Sequence, residues 1–92
     1  MQLNDYRFPK ALTKPVGPQL KTQVLDRFNY LCHYCQTEVD HDSVYMNHAI
    51  PTSRGGFTVF ANLRTACAIC HLEKGSRTEL EYLLWKFAKF RM

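Results

Sequence analysis

The sequence of 92 residues predicts a small α+β domain, and three observations lead to this prediction. Two stretches with helical spacing of apolar residues flank the middle of the chain, two short β-prone segments lie between them, and two Cys-x-x-Cys pairs enclose those segments. A chain of this length builds only a small hydrophobic core, so a covalent or metal brace is expected. The cysteine pairs are the candidates for that brace.

The chain is expected to divide into an arm and a domain. Several prolines and basic residues without a sustained period predict an irregular basic arm over residues 1–18, and the domain is expected over residues 19–92. The domain begins with a predicted amphipathic helix from Gln19 to Tyr30, where apolar residues recur near helical spacing.

The middle of the domain is expected to hold a two-stranded ribbon. A turn is predicted over Asp40–Ser43, and β-prone residues predict strands over Val44–Met46 and Leu63–Ala66. Gly55 and Gly56 interrupt the chain between the strands.

A second helix is predicted over residues 77–90. Its start is assigned to a capping box over Ser76–Glu79, in which a serine and a glutamate each bond a free amide. Apolar residues then recur at helical spacing and are interpreted as the face that packs on the core: Leu80, Leu83, Leu84, Phe87 and Ala88.

Composition gives weaker indications. The formal net charge of +4 favours a polyanionic partner such as nucleic acid. No apolar run approaches the roughly 18 to 20 residues that span a bilayer, and the start lacks the pattern of a secretory signal. A soluble cytoplasmic protein without a membrane partner is therefore expected.

The cysteine spacing indicates a metal site. Cys32 and Cys35 form one Cys-x-x-Cys pair, and Cys67 and Cys70 form the other. Two such pairs can complete the four-thiolate tetrahedron of a structural zinc ion, while redox and iron–sulfur readings stay open. A zinc ion with four sulfur ligands has no open position, so it is not expected to catalyse a reaction.

The residues between and after the cysteine pairs resemble the HNH endonuclease family, which has a ββα-metal fold. The resemblance rests on N-H-x-x-P-x-S-x-G-G from Asn47, on Asn62-Leu63, and on C-x-x-C-H-x-x-K-G from Cys67. It covers the expected zinc-braced centre, about residues 32–75.

The resemblance implies a role for each matching position. His48 would be the general base that takes a proton from the attacking water, and Asn62 would brace the loop that orients it. His71 and Asn47 would hold one catalytic divalent ion, either Mg²⁺ or one of Mn²⁺, Ni²⁺ and Zn²⁺. The implied products are a 5′-phosphate and a 3′-hydroxyl.

Asn47 departs from the family pattern, which has an acidic residue or histidine at this position. A neutral amide should bind a hard ion such as Mg²⁺ more weakly than a carboxylate does. Three readings stay open: a working site for ions that accept neutral ligands, a natural non-cleaving binder, and a substitution introduced to silence the enzyme. The alternative function is thus a zinc-braced nucleic-acid-binding or adaptor module, and a purely structural zinc domain is a third possibility.

Duplex DNA is the expected substrate, with a partner protein or a second copy of the chain supplying target choice. Four basic residues near the proposed centre are candidates for phosphate contacts, although each alone also fits a solvated surface charge: Arg54, Arg64, Lys74 and Arg77. His33 and His41 are interpreted as solvent-facing or satisfied structural histidines.

Overall fold

A computed structural model describes residues 16–91 of the chain, with side chains as far as Lys89. Within this range the chain forms a small α+β domain, as predicted. Its helices and strands follow in the order α1 (Pro18–Arg27), β1 (Tyr45–His48), β2 (Leu63–Ala66), α2 (Ala68–Lys74) and α3 (Glu79–Arg91), with 3₁₀ turns at Thr52–Arg54 and Phe60–Asn62 before β2. Residues 1–15 of the predicted basic arm lie outside the described residues.

Helix α1 is shorter than the predicted helix at its C-terminal end. It begins at Pro18, where a proline costs no hydrogen bond, and it ends at Arg27. Asn29 and Tyr30 adopt positive φ angles of 58° and 57°, which turn the chain out of the helix and toward the first cysteines. Val24 and Leu25 are the residues of α1 that are fully buried.

The two strands form an antiparallel ribbon, in the register Asn47 opposite Arg64 and His48 opposite Leu63. The predicted second strand, Leu63–Ala66, has the same bounds as β2. The first strand runs further than predicted, because it ends at His48 rather than at Met46. Asn47 and His48 therefore lie on regular backbone, paired to a neighbour, and not in a free loop.

The core lies between the ribbon, α1 and the cysteine pairs. Its buried cluster consists of Leu25, Cys32, Val39, Val44 and Cys70. Two cysteines thus belong to the hydrophobic core as well as to the predicted metal site.

The turn before β1 is closed by Asp40, whose Oδ1 accepts from the backbone N–H groups of Asp42 and Ser43.

The start of α3 differs from the prediction by two residues. The capping box is made by Thr78 and Glu81: the N–H of Glu81 donates to Thr78 Oγ1 at 3.2 Å, and the N–H of Thr78 donates to Glu81 Oε1 at 3.0 Å. Ser76 cannot serve as the cap, because the chain is still completing the turn after α2, where the N–H of Arg77 donates to Lys74 O.

The predicted core face of α3 is wrong. Its members Leu80, Leu83, Leu84 and Phe87 are 42% to 67% exposed, whereas Tyr82 is fully buried. Tyr82 Oη donates to Glu73 Oε1 at 2.8 Å, and its ring packs edge-on against Tyr34 at 5.2 Å. Tyr82 therefore determines which side of α3 is buried, and the predicted apolar face points outward.

None of the helices within residues 16–91 is long and apolar enough to cross a membrane.

Candidate active site

The four cysteines converge as their spacing predicts. Their Sγ atoms all lie within 4.8 Å of one another, and Cys35 Sγ is 3.6 Å from Cys67 Sγ. In a tetrahedral site with zinc–sulfur bonds of 2.3 Å, neighbouring sulfurs are about 3.8 Å apart. The cluster therefore has the size and the ligand set to hold a metal ion such as zinc.

The second cysteine pair also builds the helix that carries His71. Cys67 is the N-cap of α2: its Sγ accepts from the N–H of Cys70 at 3.5 Å, and its carbonyl accepts from the N–H of His71 at 2.9 Å. An N-cap fixes the direction of the first helical turn. The cluster thus sets both the start of α2 and the place of His71, one turn along it.

Asn62 braces the loop after β1 with all of its side-chain polar atoms. Its Oδ1 accepts from the N–H of Ile50 at 2.9 Å, and its Nδ2 donates to the carbonyls of Ile50 at 3.0 Å and Phe57 at 2.9 Å. Its own carbonyl accepts from the N–H of Ala49 at 2.8 Å. These bonds are the ones a loop-bracing asparagine needs, and they fix the chain directly after His48.

Gly56 is required by the close approach of this loop to itself. A Cβ atom at this position would lie 1.7 Å from the carbonyl oxygen of Ile50 and 2.9 Å from Asn62 Nδ2. Gly55 has a φ of 95°, which glycine adopts without strain. The glycine pair therefore allows the loop to fold over the Asn62 side chain.

His48 ends β1 and is held at both its backbone and its ring. Its Nε2 lies 2.9 Å from Thr58 Oγ1, and its carbonyl accepts from Lys74 Nζ at 2.7 Å. Burial lowers the pKa of His48, and the charges of Lys74 and His71 lower it further. His48 is therefore a neutral imidazole near pH 7, and a neutral imidazole can accept a proton.

Asn47 and His71 face each other across the gap between β1 and α2. Asn47 is 3% exposed, and its Nδ2 lies 3.0 Å from His71 Nδ1. The Oδ1 atom of Asn47 is buried and has no hydrogen-bond partner among the described residues. Burial lowers the pKa of His71, with a further contribution from Lys74, and both effects favour the neutral imidazole.

This pair fits the divalent ion that the HNH resemblance implies. Adjacent ligand atoms of an octahedral ion with bonds of about 2.1 Å lie about 3 Å apart, which is the separation of the Asn47 amide from His71 Nδ1. A half-turn of the amide about its last bond would place Oδ1 at that position. Asn47 Oδ1 and His71 Nδ1 would then be two ligand atoms for that ion.

The four basic residues predicted to contact phosphate all have partners within the protein. Arg54 pairs with Glu81, Arg64 Nε bonds Glu79 Oε1 at 3.0 Å, Lys74 donates to His48 O, and Arg77 Nη1 donates to Glu73 O at 2.7 Å. Lys74 is also only 1% exposed, so in this conformation its ammonium bonds the end of β1 and is not accessible at the surface. Phosphate contacts by these residues stay a prediction.

Three side chains around the site make contacts that the sequence analysis did not predict. Thr58 bonds the ring of His48, and Tyr45 stacks on His71 with ring centroids 4.6 Å apart. Glu79 Oε1 accepts hydrogen bonds from Tyr34 Oη and Arg64 Nε and lies 3.3 Å from His33 Nε2. The ring of His33 therefore has a polar partner within the domain. The period of two in β1 could have indicated Tyr45, which shares a strand face with Asn47. No local pattern indicates the contacts of Thr58 and Glu79, whose partners lie elsewhere in the chain.

An antiparallel ribbon followed by a helix, tied by four cysteines and with histidines on the strand and on the helix, defines a ββα-metal domain. The family model described as HNH endonuclease matches residues 32–83. Because this match spans more than half of the chain, the protein belongs to the HNH endonuclease family. A search of curated proteins gave no match to the chain.

Proposed function

We propose that this protein is a metal-dependent endonuclease that hydrolyses phosphodiester bonds in DNA. His48 is the general base, and Asn47 and His71 hold one divalent ion. The observation that carries the proposal is the 3.0 Å approach of the buried Asn47 amide to His71 Nδ1, with an Asn47 Oδ1 that has no partner among the described residues and with His48 next to Asn47 on β1. Family membership supplies the reaction class.

A general base needs a ring nitrogen with a free lone pair, and the contact with Thr58 indicates which nitrogen of His48 has it. If His48 Nε2–H donates to Thr58 Oγ1, the neutral tautomer leaves its lone pair on Nδ1. Nδ1 then takes a proton from water, whose oxygen forms a bond to phosphorus. The phosphorus–O3′ bond breaks, and the departing oxygen takes up a proton from solvent. The products are a 5′-phosphate and a 3′-hydroxyl.

Asn47 and His71 together provide neutral ligands. A divalent ion at these residues would supply positive charge that stabilises the phosphate as it reacts. Neutral nitrogen and oxygen ligands favour Mn²⁺, Ni²⁺ or Zn²⁺ over Mg²⁺, which prefers carboxylates. Activity is therefore expected to be higher with the first three ions.

Duplex DNA is the proposed substrate. Arg54 and Arg77 can exchange their partners, Glu81 and the Glu73 carbonyl, for phosphate oxygens. A second copy of the chain or a partner protein would provide the second cut and the choice of target.

A non-cleaving nucleic-acid-binding module is the second candidate, and Asn47 favours it. In the structure, the Asn47 amide already bonds His71, so the two residues have a stable arrangement as direct partners. If this arrangement prevails, Asn47→Asp restores a charged ligand and with it cleavage.

The test is to incubate zinc-loaded protein with supercoiled plasmid and Mg²⁺, Mn²⁺, Ni²⁺ or Zn²⁺. The parent should nick the plasmid, and His48→Ala should reduce the rate at least about 100-fold, which is within the usual contribution of a general base. His41→Ala is the matched control, because His41 bonds Thr22 in a different part of the domain. Cutting by Asn47→Asp alone would favour the second candidate, and equal cutting by His48→Ala would refute the proposed base.

A further inference from the structure

The ring of Tyr45 lies flat against the imidazole of His71. The two centroids are 4.6 Å apart and the ring planes differ by 19°. Tyr45 is 46% exposed, so its ring is not a member of the hydrophobic core. Its contact with His71 is therefore a surface contact that the packing of the core does not demand.

The β1–β2 ribbon places the ring of Tyr45 next to the proposed metal site of Asn47 and His71. Tyr45 and Asn47 are two residues apart on β1, so their side chains leave the same face of the strand. The residue opposite Tyr45 on β2 is Ala66, whose methyl group offers little surface for a cross-strand pair. One strand face thus supplies both the amide that bonds His71 and the ring that stacks on it.

The orientation of the His71 ring decides whether its Nδ1 can bind an ion, and stacking on Tyr45 acts on this orientation. The lone pair of Nδ1 lies in the plane of the imidazole, so an ion must lie in that plane too. The last torsion of a histidine side chain is broad, and helix α2 fixes the backbone of His71 but not this torsion. A flat ring with its centroid 4.6 Å away favours one orientation of the imidazole, and in that orientation Nδ1 lies 3.0 Å from Asn47 Nδ2.

We propose that Tyr45 is a positioning residue that holds the imidazole of His71 with Nδ1 directed at the cation shared with Asn47. This inference rests on the proposed function, because it concerns the same cation site. Tyr45 does not touch the reacting atoms and is not a catalytic residue. Its flat ring is the feature that counts, so phenylalanine should replace it and an aliphatic residue should not.

The test compares Tyr45→Phe with Tyr45→Leu in zinc-loaded protein. Without a second cation, NMR should show His71 ring protons shielded by the neighbouring ring in the parent and in Tyr45→Phe, and no such shielding in Tyr45→Leu. Calorimetric titration with Mn²⁺ should give a Kd about 3- to 10-fold higher for Tyr45→Leu, the range expected for a stacked pair, and a change below twofold for Tyr45→Phe. Plasmid nicking by Tyr45→Leu should recover at high Mn²⁺.

A second background separates positioning from general destabilisation. In His71→Asn, which keeps a ligand and removes the ring, adding Tyr45→Leu should not change the Kd for Mn²⁺. A lower melting temperature of Tyr45→Leu with an unchanged Kd would mean a merely structural role and would overturn the inference. An equal loss of affinity in the His71→Asn background would overturn it as well.

The two proposals fail in different ways. If the parent binds Mn²⁺ and nicks plasmid, and Tyr45→Leu binds Mn²⁺ as tightly as the parent, only the role of Tyr45 is refuted. If the parent neither binds a second cation nor nicks plasmid with any ion, the proposed function is refuted and the role of Tyr45 with it.

Discussion

Replacing Asn62 by alanine tests whether the loop after β1 is held by this one side chain. The change removes three hydrogen bonds, two to Ile50 and one to Phe57. Each such bond contributes about 0.5 to 1.5 kcal/mol to stability. Because Ile50 and Phe57 are both exposed, water can replace part of what is lost, and the lower values apply. The expected loss in free energy of unfolding is about 2 kcal/mol, or about 10 °C in melting temperature for a domain of this size.

The effect on cleavage should be larger than the effect on stability. At 25 °C, a loss of about 2 kcal/mol leaves most molecules of an ordinary domain folded, but the chain after His48 is no longer fixed. Nicking with Mn²⁺ should therefore fall at least about 100-fold, since a small displacement of a catalytic group has an effect of that order. Urea unfolding and plasmid nicking, measured on the same preparation, check both numbers.

Two further variants define what the result means. Asn62→Asp keeps the acceptor for the Ile50 N–H but turns a carboxylate toward two carbonyl oxygens, so it should be no better than alanine. Gln23→Ala removes an exposed amide from α1 and should behave like the parent. If Asn62→Ala unfolds at the parent's urea concentration and nicks at the parent's rate, the loop is not held as described.

Three other substitutions have defined outcomes. Gly56→Ala places a Cβ atom 1.7 Å from Ile50 O, so the loop must move, and nicking should fall while zinc content, measured by atomic emission, stays at one per chain. Thr58→Val keeps the shape of the side chain but not the hydroxyl, and should lower kcat about tenfold or more while Thr58→Ser retains it; equal rates would refute the tautomer assigned to His48. Lys74→Met should reduce nicking yet leave the salt dependence of DNA binding unchanged, because the ammonium bonds His48 O; a log–log slope smaller by about one would instead indicate a phosphate contact.

Local sequence patterns were sufficient to predict the frame around the four cysteines. The spacing of the cysteines requires only that two short knuckles approach each other, and the structure places all four Sγ atoms within 4.8 Å. The strand Leu63–Ala66 and the turn at Asp40 can be predicted because β-prone residues and an Asp side chain bonding backbone N–H groups two and three residues on are local features. The order of Asn47, His48, Asn62 and His71 identified the family without any knowledge of distances.

What failed depends on contacts between distant parts of the chain. The aliphatic residues of α3 have helical periodicity, but Tyr82 determines which side of the helix is buried because it bonds Glu73 and packs on Tyr34. Lys74 is a candidate phosphate contact from its sequence position, and only the structure shows that the His48 carbonyl accepts from its ammonium. No periodicity within one segment can indicate such a partner.

The central claim is that Asn47 and His71 form a cation site separate from the four cysteines. It is tested most directly by titrating zinc-loaded protein with Mn²⁺ in a calorimeter and comparing the parent with Asn47→Ala, His71→Ala and the control His41→Ala. The parent and the control should each bind one Mn²⁺ per chain in addition to zinc, and the first two variants should bind it at least about tenfold more weakly. Failure of the parent to bind Mn²⁺, or binding by Asn47→Ala and His71→Ala that is as tight as that of the parent, would contradict the claim.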